Sequence, residues 1–402
     1  LSAKADNRHE VPREDDFNRL NRYPARRPEM SRVLRYLGGA LGALLLLLLI
    51  LLGYAYFRPN RARVVDALGI EHWAAVSDGA HNSNTDLIYW RGAFYLVHAS
   101  SPWHFASEKC RLVIWRSEDA RHWERLAELN VPGEDIRDPK FAPIGGRLFL
   151  YALKNVVFTA EPYTTVLSVS DDGRQWTPFQ EVEPKGWLFW RPKTRDGTVW
   201  YVPAYWHEHG RSILLQSTDG YHWETVSTIY DGERNDEVDI EFLPDGRMLA
   251  TARLEGSGSI FGDPTASTLI AVAAPPYTEW TYHRSRVTRL DGPALFSYNG
   301  QVYTVGRYQP QPWGPLTELG SVLSRKRTAL FRVDEDRLTW LSDLPSAGDT
   351  SYAGTVIRGD FLYVSYYTSD IRRDVPWLLG MVLPSDIRIA RIPLAALEGI
   401  SR

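Results

Sequence analysis

The chain has few of the residues on which redox, metal and disulfide chemistry depend. Its 402 residues include one cysteine, Cys110, and three methionines. A single thiol excludes an internal disulfide framework, a cysteine-based zinc site and a cysteine-ligated iron–sulfur cluster. A basic surplus is also missing: 46 Lys+Arg stand against 49 Asp+Glu, a formal net charge of -3. Nucleic-acid binding, which depends on neutralising phosphates, is therefore not expected. A composition of 44% hydrophobic and 24% charged residues excludes global disorder. What is abundant is 15 Trp, 21 Tyr, 25 Pro and 30 Gly. Aromatic residues suit strands, and Gly and Pro punctuate turns, so the composition reads as all-β.

Long hydrophobic runs are confined to one place. Residues 36–57 carry no charge and include an unbroken Leu/Ile stretch at 44–52. At about 1.5 Å per residue a helix over this run reaches roughly 33 Å, enough to cross a bilayer core. Leucine without a polar face argues against a core helix. The length, and the lack of a small-residue pattern after Tyr54-Ala55-Tyr56-Phe57, argue against a cleaved signal peptide. The run is read as an uncleaved transmembrane anchor. Residues 1–35, polar and arginine-rich, are expected to form a disordered cytoplasmic tail. Arg26, Arg27, Arg32 and Arg35 precede the anchor, while Arg58, Arg61 and Arg63 follow it. That bias favours a cytoplasmic N-terminus and an extracytoplasmic C-terminal part. Residues 58–78 are read as a linker and entry segment, and 79–398 as one folded domain.

This domain is repetitive. Ser117-Glu-Asp119-Ala-Arg-His-Trp123, Ser170-Asp-Asp172-Gly-Arg-Gln-Trp176 and Ser217-Thr-Asp219-Gly-Tyr-His-Trp223 share the pattern S-x-D-[GA]-x-x-W, each after an apolar strand. Asp and Gly supply a hairpin turn, and Trp packs back under the next strand. Trp280 and Trp340 end weaker versions of the pattern. Alternating with these turns are six strand–turn–strand segments with turn glycines Gly92, Gly146, Gly197, Gly246, Gly300 and Gly359. Four strands per ~50 residues, six times over, predict a six-bladed β-propeller. Counting back from the turn glycines gives Asp86, Arg137/Asp138, the stretch 188–191, Glu237, Asp291 and the stretch 350–352 ending in Tyr352. Counting forward gives His98, Lys154, Tyr205, Arg253, Arg307 and Tyr366, all at the same mouth, where propeller ligands bind.

The three turns resemble the Asp-box of the sialidase (neuraminidase) superfamily, one residue shorter than its commonest form. The segment Asn235-Asp-Glu237 through Asp245-Gly246 to Arg253 is similar to the sialidase segment with a Glu before a strand and an Arg ending the next. The resemblance covers about residues 75–395. It implies that Glu237 is the base activating a tyrosine, and that Arg253 and Arg307 are arms of a carboxylate clamp. It also places the nucleophile at Tyr352, in Gly348-Asp-Thr-Ser-Tyr352. The Asp-box turns themselves lie on the rim in that family and receive no catalytic role.

These residue types suit the chemistry. A sialic acid carries a carboxylate at the anomeric carbon, so a carboxylate nucleophile would approach against like charge; a neutral Tyr avoids this. Arginines hold a carboxylate bidentately without losing charge. Asp86 and Asp138 are the two candidates for the acid that protonates the leaving oxygen, and Arg137 is a candidate third arm. The family's [FY]-R-I-P segment is missing, since the first hairpin ends Val-His98-Ala. Asp138-Pro-Lys is also similar to five-bladed arabinanase-like glycosidases, against which the six hairpins argue. His98 and His104 are read as hydrogen-bonding loop residues, and no metal or cofactor is expected. Two functions remain open: an exo-glycosidase acting on a carboxylated sugar, and a non-catalytic propeller that binds glycans or assembles with other envelope proteins.

Overall fold

The computed structural model describes residues 28–157, 162–312 and 314–400. Of the tail expected to be disordered over residues 1–35, the part up to residue 27 lies outside the described residues, while residues 28–35 are helical and continue into the apolar run. The chain divides after Tyr54 into two compact units. A single helix spans Pro28–Phe57. Its stretch Arg32–Phe57 is long and apolar enough to cross a membrane, and its leucines are exposed.

The second unit is a six-bladed propeller of antiparallel sheets. Blade 1 covers residues 81–129, blade 2 135–181, blade 3 187–231, blade 4 235–285 and blade 5 291–343. Blade 6 takes three strands from residues 350–393 and its outermost strand, Glu71–Val76, from the other end of the unit. That strand pairs with Asp386–Pro393, Glu71 opposite Arg391 and Trp73 opposite Ile389. The segment 58–78, expected to be a linker, thus supplies the strand that closes the ring. The partner lies at the far end of the chain, beyond the reach of any local pattern. Arg63 adds to the closure, its carbonyl accepting from Asp343 N–H at 3.1 Å.

Each predicted hairpin forms the two innermost strands of a blade, and all six turn glycines have positive φ. The S-x-D-[GA]-x-x-W segments join the third and fourth strands of blades 1 to 3. In each, one Asp oxygen gathers two backbone N–H groups: Asp172, for example, accepts from Arg174 and Gln175, both at 2.8 Å. The Trp indole then donates to the turn carbonyl, as Trp223 does to Gly220 at 3.2 Å. Its ring joins the apolar cluster shared with the preceding blade: Trp176 packs beside Phe141 and Leu150, and Trp223 beside Phe149 and Val202. Burying each ring contributes about 2–3 kcal/mol. In blades 1 to 3 the repeated turn therefore adds a ring to the apolar cluster that joins each blade to its neighbour.

Candidate active site

A regular inner strand would alternate its side chains between the two faces of its blade. Five of the six inner strands do not stay regular. Their register shifts at Ser83/Thr85, Arg137/Lys140, Asp236/Asp239, Asp291/Ala294 and Ser351/Gly354. Within each shift stands a residue in the left-handed region: Asn84 (φ 48°), Asp138 (51°), Glu237 (38°), Gly292 (60°) and Tyr352 (46°). A bulge re-aims a side chain at the expense of a ladder bond, and a non-glycine residue held there carries roughly 1–3 kcal/mol of strain. Blade 3 breaks its inner strand instead, between Phe189 and Lys193. Asn84, Asp138, Glu237 and Tyr352 all line one cavity of about 280 Å³, together with Arg137, Arg253, Glu255, Arg289 and Arg307.

At the centre of this group the Tyr352 hydroxyl donates to Glu237 Oε1. Glu237 Oε2 accepts from the Gly292 N–H at 2.7 Å, and Arg253 NH1 lies 3.0 Å from Oε1. Burial pushes the Glu237 carboxyl up to about 7, against the pull of Arg253 and with Asp236 and Asp291 adding to the rise. Burial and the Glu237 charge raise the Tyr352 phenol well above its ordinary value, although Arg307 and Arg253 oppose this. The resting pair is a neutral phenol hydrogen-bonded to a base poised near neutrality.

Three arginines surround the pair, each held by carboxylates. Arg253 Nε donates to Asp236 at 2.6 Å, and its NH2 also binds that residue. Arg289 Nε donates to Asp291 at 2.7 Å, and Arg307 Nε to the other oxygen of Asp291 at 3.1 Å. Burial would raise Asp291, but Arg289, Arg307 and Arg253 overcome it and hold the group well below the usual carboxylate range. Arg307 also lies 5.2 Å over the Tyr352 ring and 4.4 Å over Trp377.

The sequence-derived residues fall into two groups. Tyr352, Glu237, Asp138, Arg253, Arg307 and Arg137 line the cavity; Asp86 does not. Asp86 accepts from Phe141 N–H at 2.7 Å and from Arg191 at 2.8 Å. Asp239 in blade 4 does the same for Leu295 N–H at 2.8 Å, so these two aspartates tie neighbouring inner strands together beneath the mouth. Asp138, by contrast, sits at the bulge and accepts from the Asn84 amide. Arg137 is half-buried and donates to Asp135 at 2.6 Å.

Sequence reasoning missed Arg289, Glu255 and His209. Arg289 and Asp291 repeat, with charges exchanged, the Asp135/Arg137 pair that precedes the bulge of blade 2. An R-x-D before Gly-Pro was the available signal. Two groups offer metal-ligand geometry among the described residues, His81/His104/Asp349 and His209/Asp236/Glu255. Their carboxylates already receive donors: Asp349 from Trp377 at 2.8 Å and Tyr367 at 2.9 Å, Asp236 from Arg253. His98, buried and pushed down to about 4 chiefly by burial, is neutral and accepts from the Trp115 indole at 3.0 Å.

No family model matches the chain, and no curated protein matches it in sequence. Its fold does have solved counterparts. A phage phi92 endosialidase is similar with a TM-score of 0.61 at 12% identity, over 81% of this chain and 69% of that one. Trypanosoma rangeli sialidase in complex with sialic acid gives 0.58 at 12%, over 82% of this chain and 60% of that one. The chain thus spans less than two thirds of the trypanosomal protein. A mutant alpha-L-arabinofuranosidase from Fusarium graminearum, bound to an iminosugar inhibitor, gives 0.54 at 12%, over 86% and 98%. The propeller is of the kind found in sialidases and related glycosidases.

Proposed function

We propose that this propeller is an exo-glycosidase of sialidase type that removes a carboxylated sugar. The observation that carries this reading is the hydrogen bond between the Tyr352 hydroxyl and Glu237 inside a cavity also lined by Arg253, Arg289 and Arg307. The arginines hold the sugar carboxylate. Glu237 accepts the phenolic proton as Tyr352 oxygen bonds to the anomeric carbon, and Asp138 protonates the departing oxygen. Water then attacks the glycosyl–tyrosine, giving its proton to Asp138 while the phenolate recovers its proton from Glu237. Arg289 takes the third place in the clamp, and Arg137 is a peripheral substrate contact. The helix Pro28–Phe57 anchors the chain, with the propeller on the extracytoplasmic side.

The second reading, a glycan-binding propeller without turnover, draws on one observation. Every arginine of the clamp is already paired, with Asp236, Glu255, Asp291 or Asp349. An incoming carboxylate must compete with those partners. An aryl sialoside assay separates the two readings. The glycosidase reading expects aryl alcohol release that Tyr352→Phe lowers at least about a thousandfold while sugar-acid binding persists. Binding without release by the unmodified protein, across aryl glycosides of several sugar acids, decides for the binder.

A further inference from the structure

Away from the mouth, a second cavity of about 330 Å³ is lined by five arginines, Arg58, Arg61, Arg63, Arg325 and Arg327, against two carboxylates, Asp343 and Asp374. Both carboxylates are occupied. Asp374 receives Arg327 NH2 at 2.5 Å and Arg325 Nε at 3.2 Å, and Asp343 receives the Tyr308 hydroxyl at 2.5 Å and the Arg63 N–H at 2.7 Å. The positive charge lining the cavity therefore exceeds the negative. Two buried N–H groups also lack an acceptor: Arg327 Nε, on a residue 2% exposed, and Arg58 Nε, which lies 3.5 Å from Asp374. A buried guanidinium N–H without a partner carries a desolvation penalty, so the local electrostatics favour additional negative charge.

We propose that this cavity binds a phosphoryl group. Guanidinium forks match phosphate oxygens, and several arginines converging on one dianion suit phosphate better than a single carboxylate. Two sources share that chemistry, free phosphate and a phospholipid headgroup. Arg58 directly follows Phe57, the last residue of the apolar helix. If that helix spans a bilayer, Arg58, Arg61 and Arg63 meet the headgroup layer, whose phosphate groups are matched by guanidinium forks on either side of the membrane. The site is separate from the mouth and does not depend on the glycosidase reading; only the lipid source rests on the membrane reading.

The test uses the full chain, delipidated in detergent, with inorganic phosphate as the probe and chloride at equal ionic strength as the control. Phosphate should raise Tm by roughly 3–5 °C at a hundredfold excess over Kd. The double variant Arg61→Gln/Arg63→Gln should lose that rise; because Arg63 also donates to Tyr308 at 3.3 Å and stacks on Trp340, the rise is measured against the variant's own chloride Tm. No phosphate-specific rise, or an equal rise in the double variant, overturns the proposal. Where the rise is found, nanodiscs identify the source. Wild-type protein in phosphatidylglycerol discs that no longer responds to phosphate, while phosphatidylcholine discs still allow the response, holds a lipid headgroup; an undiminished response in both identifies free phosphate.

Discussion

A Cβ on residue 292 would stand 3.0 Å from the Tyr352 ring, so the phenol lies against backbone that has room for hydrogen only. The same residue's N–H holds Glu237 Oε2 at 2.7 Å. Gly292 therefore positions both members of the proposed nucleophile–base pair, and its φ of 60° is one that a larger residue adopts only with strain.

Gly292→Ala should accordingly displace the ring. The expected cost in stability is about 1 kcal/mol, from the left-handed backbone. The expected loss in kcat is larger, on the order of a hundredfold, because a reacting group misplaced by about 1 Å loses that much. Denaturant unfolding and aryl sialoside kinetics on the same preparation check the two figures. Unchanged kcat would remove Gly292 from the positioning role.

The raised pKa of Glu237 makes a stability prediction with a definite sign. The folded carboxyl, at about 7, holds its proton more tightly than the unfolded one at its ordinary 4.5. Stability is therefore fully present below about 4.5, falls as pH rises to about 7, and stays low above it. The shift corresponds to on the order of 3 kcal/mol. Glu237→Gln, which cannot ionise, should melt above the wild type at pH 8 and level with it near pH 4. In the same pH range wild-type kcat/KM should rise toward an inflection near 7, because only the ionised base accepts the phenolic proton.

Much of this arrangement was legible in the sequence, and the misses share a cause. Arg253 and Arg307 were placed by counting from turn glycines; they stand near the ends of the second strands of their hairpins, opposite Asp236 and Asp291, the last residues paired before each bulge. Asp86 and Asn84 could not be separated that way. A count from the turn glycine covers several positions at once, and it is the bulge between Ser83 and Thr85 that puts Asn84 at the mouth and leaves Asp86 beneath it. The closing strand Glu71–Val76 was invisible for another reason: its only ladder partner is the last strand of the domain. Arg289 stands outside the inner strand altogether, since that strand begins at Asp291.

The two aspartates should separate by experiment. Asp138→Asn removes the proposed acid, so hydrolysis of an alkyl or sugar-linked substrate should fall at least about a hundredfold. An aryl substrate with a good leaving group should be affected far less in its glycosylation step. Asp86→Asn should instead destabilise the fold by roughly 3 kcal/mol, because Arg191 loses its buried charged partner. Leaving-group dependence in Asp86→Asn, and none in Asp138→Asn, would exchange their roles.

The proposed membrane orientation can be read by thiol labelling, because the natural chain is silent in that assay. Its one cysteine, Cys110, is buried, and burial pushes its thiol up to about 12, so almost no reactive thiolate forms at neutral pH. Thr198→Cys puts a thiol on an exposed turn of blade 3, and Ser2→Cys puts one in the N-terminal tail. With the propeller outside, a membrane-impermeant maleimide added to right-side-out vesicles should label the Thr198→Cys protein at once. The Ser2→Cys protein should be labelled only after permeabilisation. The proposed orientation rests on the arginines on the two sides of the helix. The reverse labelling pattern would place the propeller in the cytoplasm. Labelling of both, with the protein extracted by alkaline carbonate, would mean that the helix does not cross the membrane.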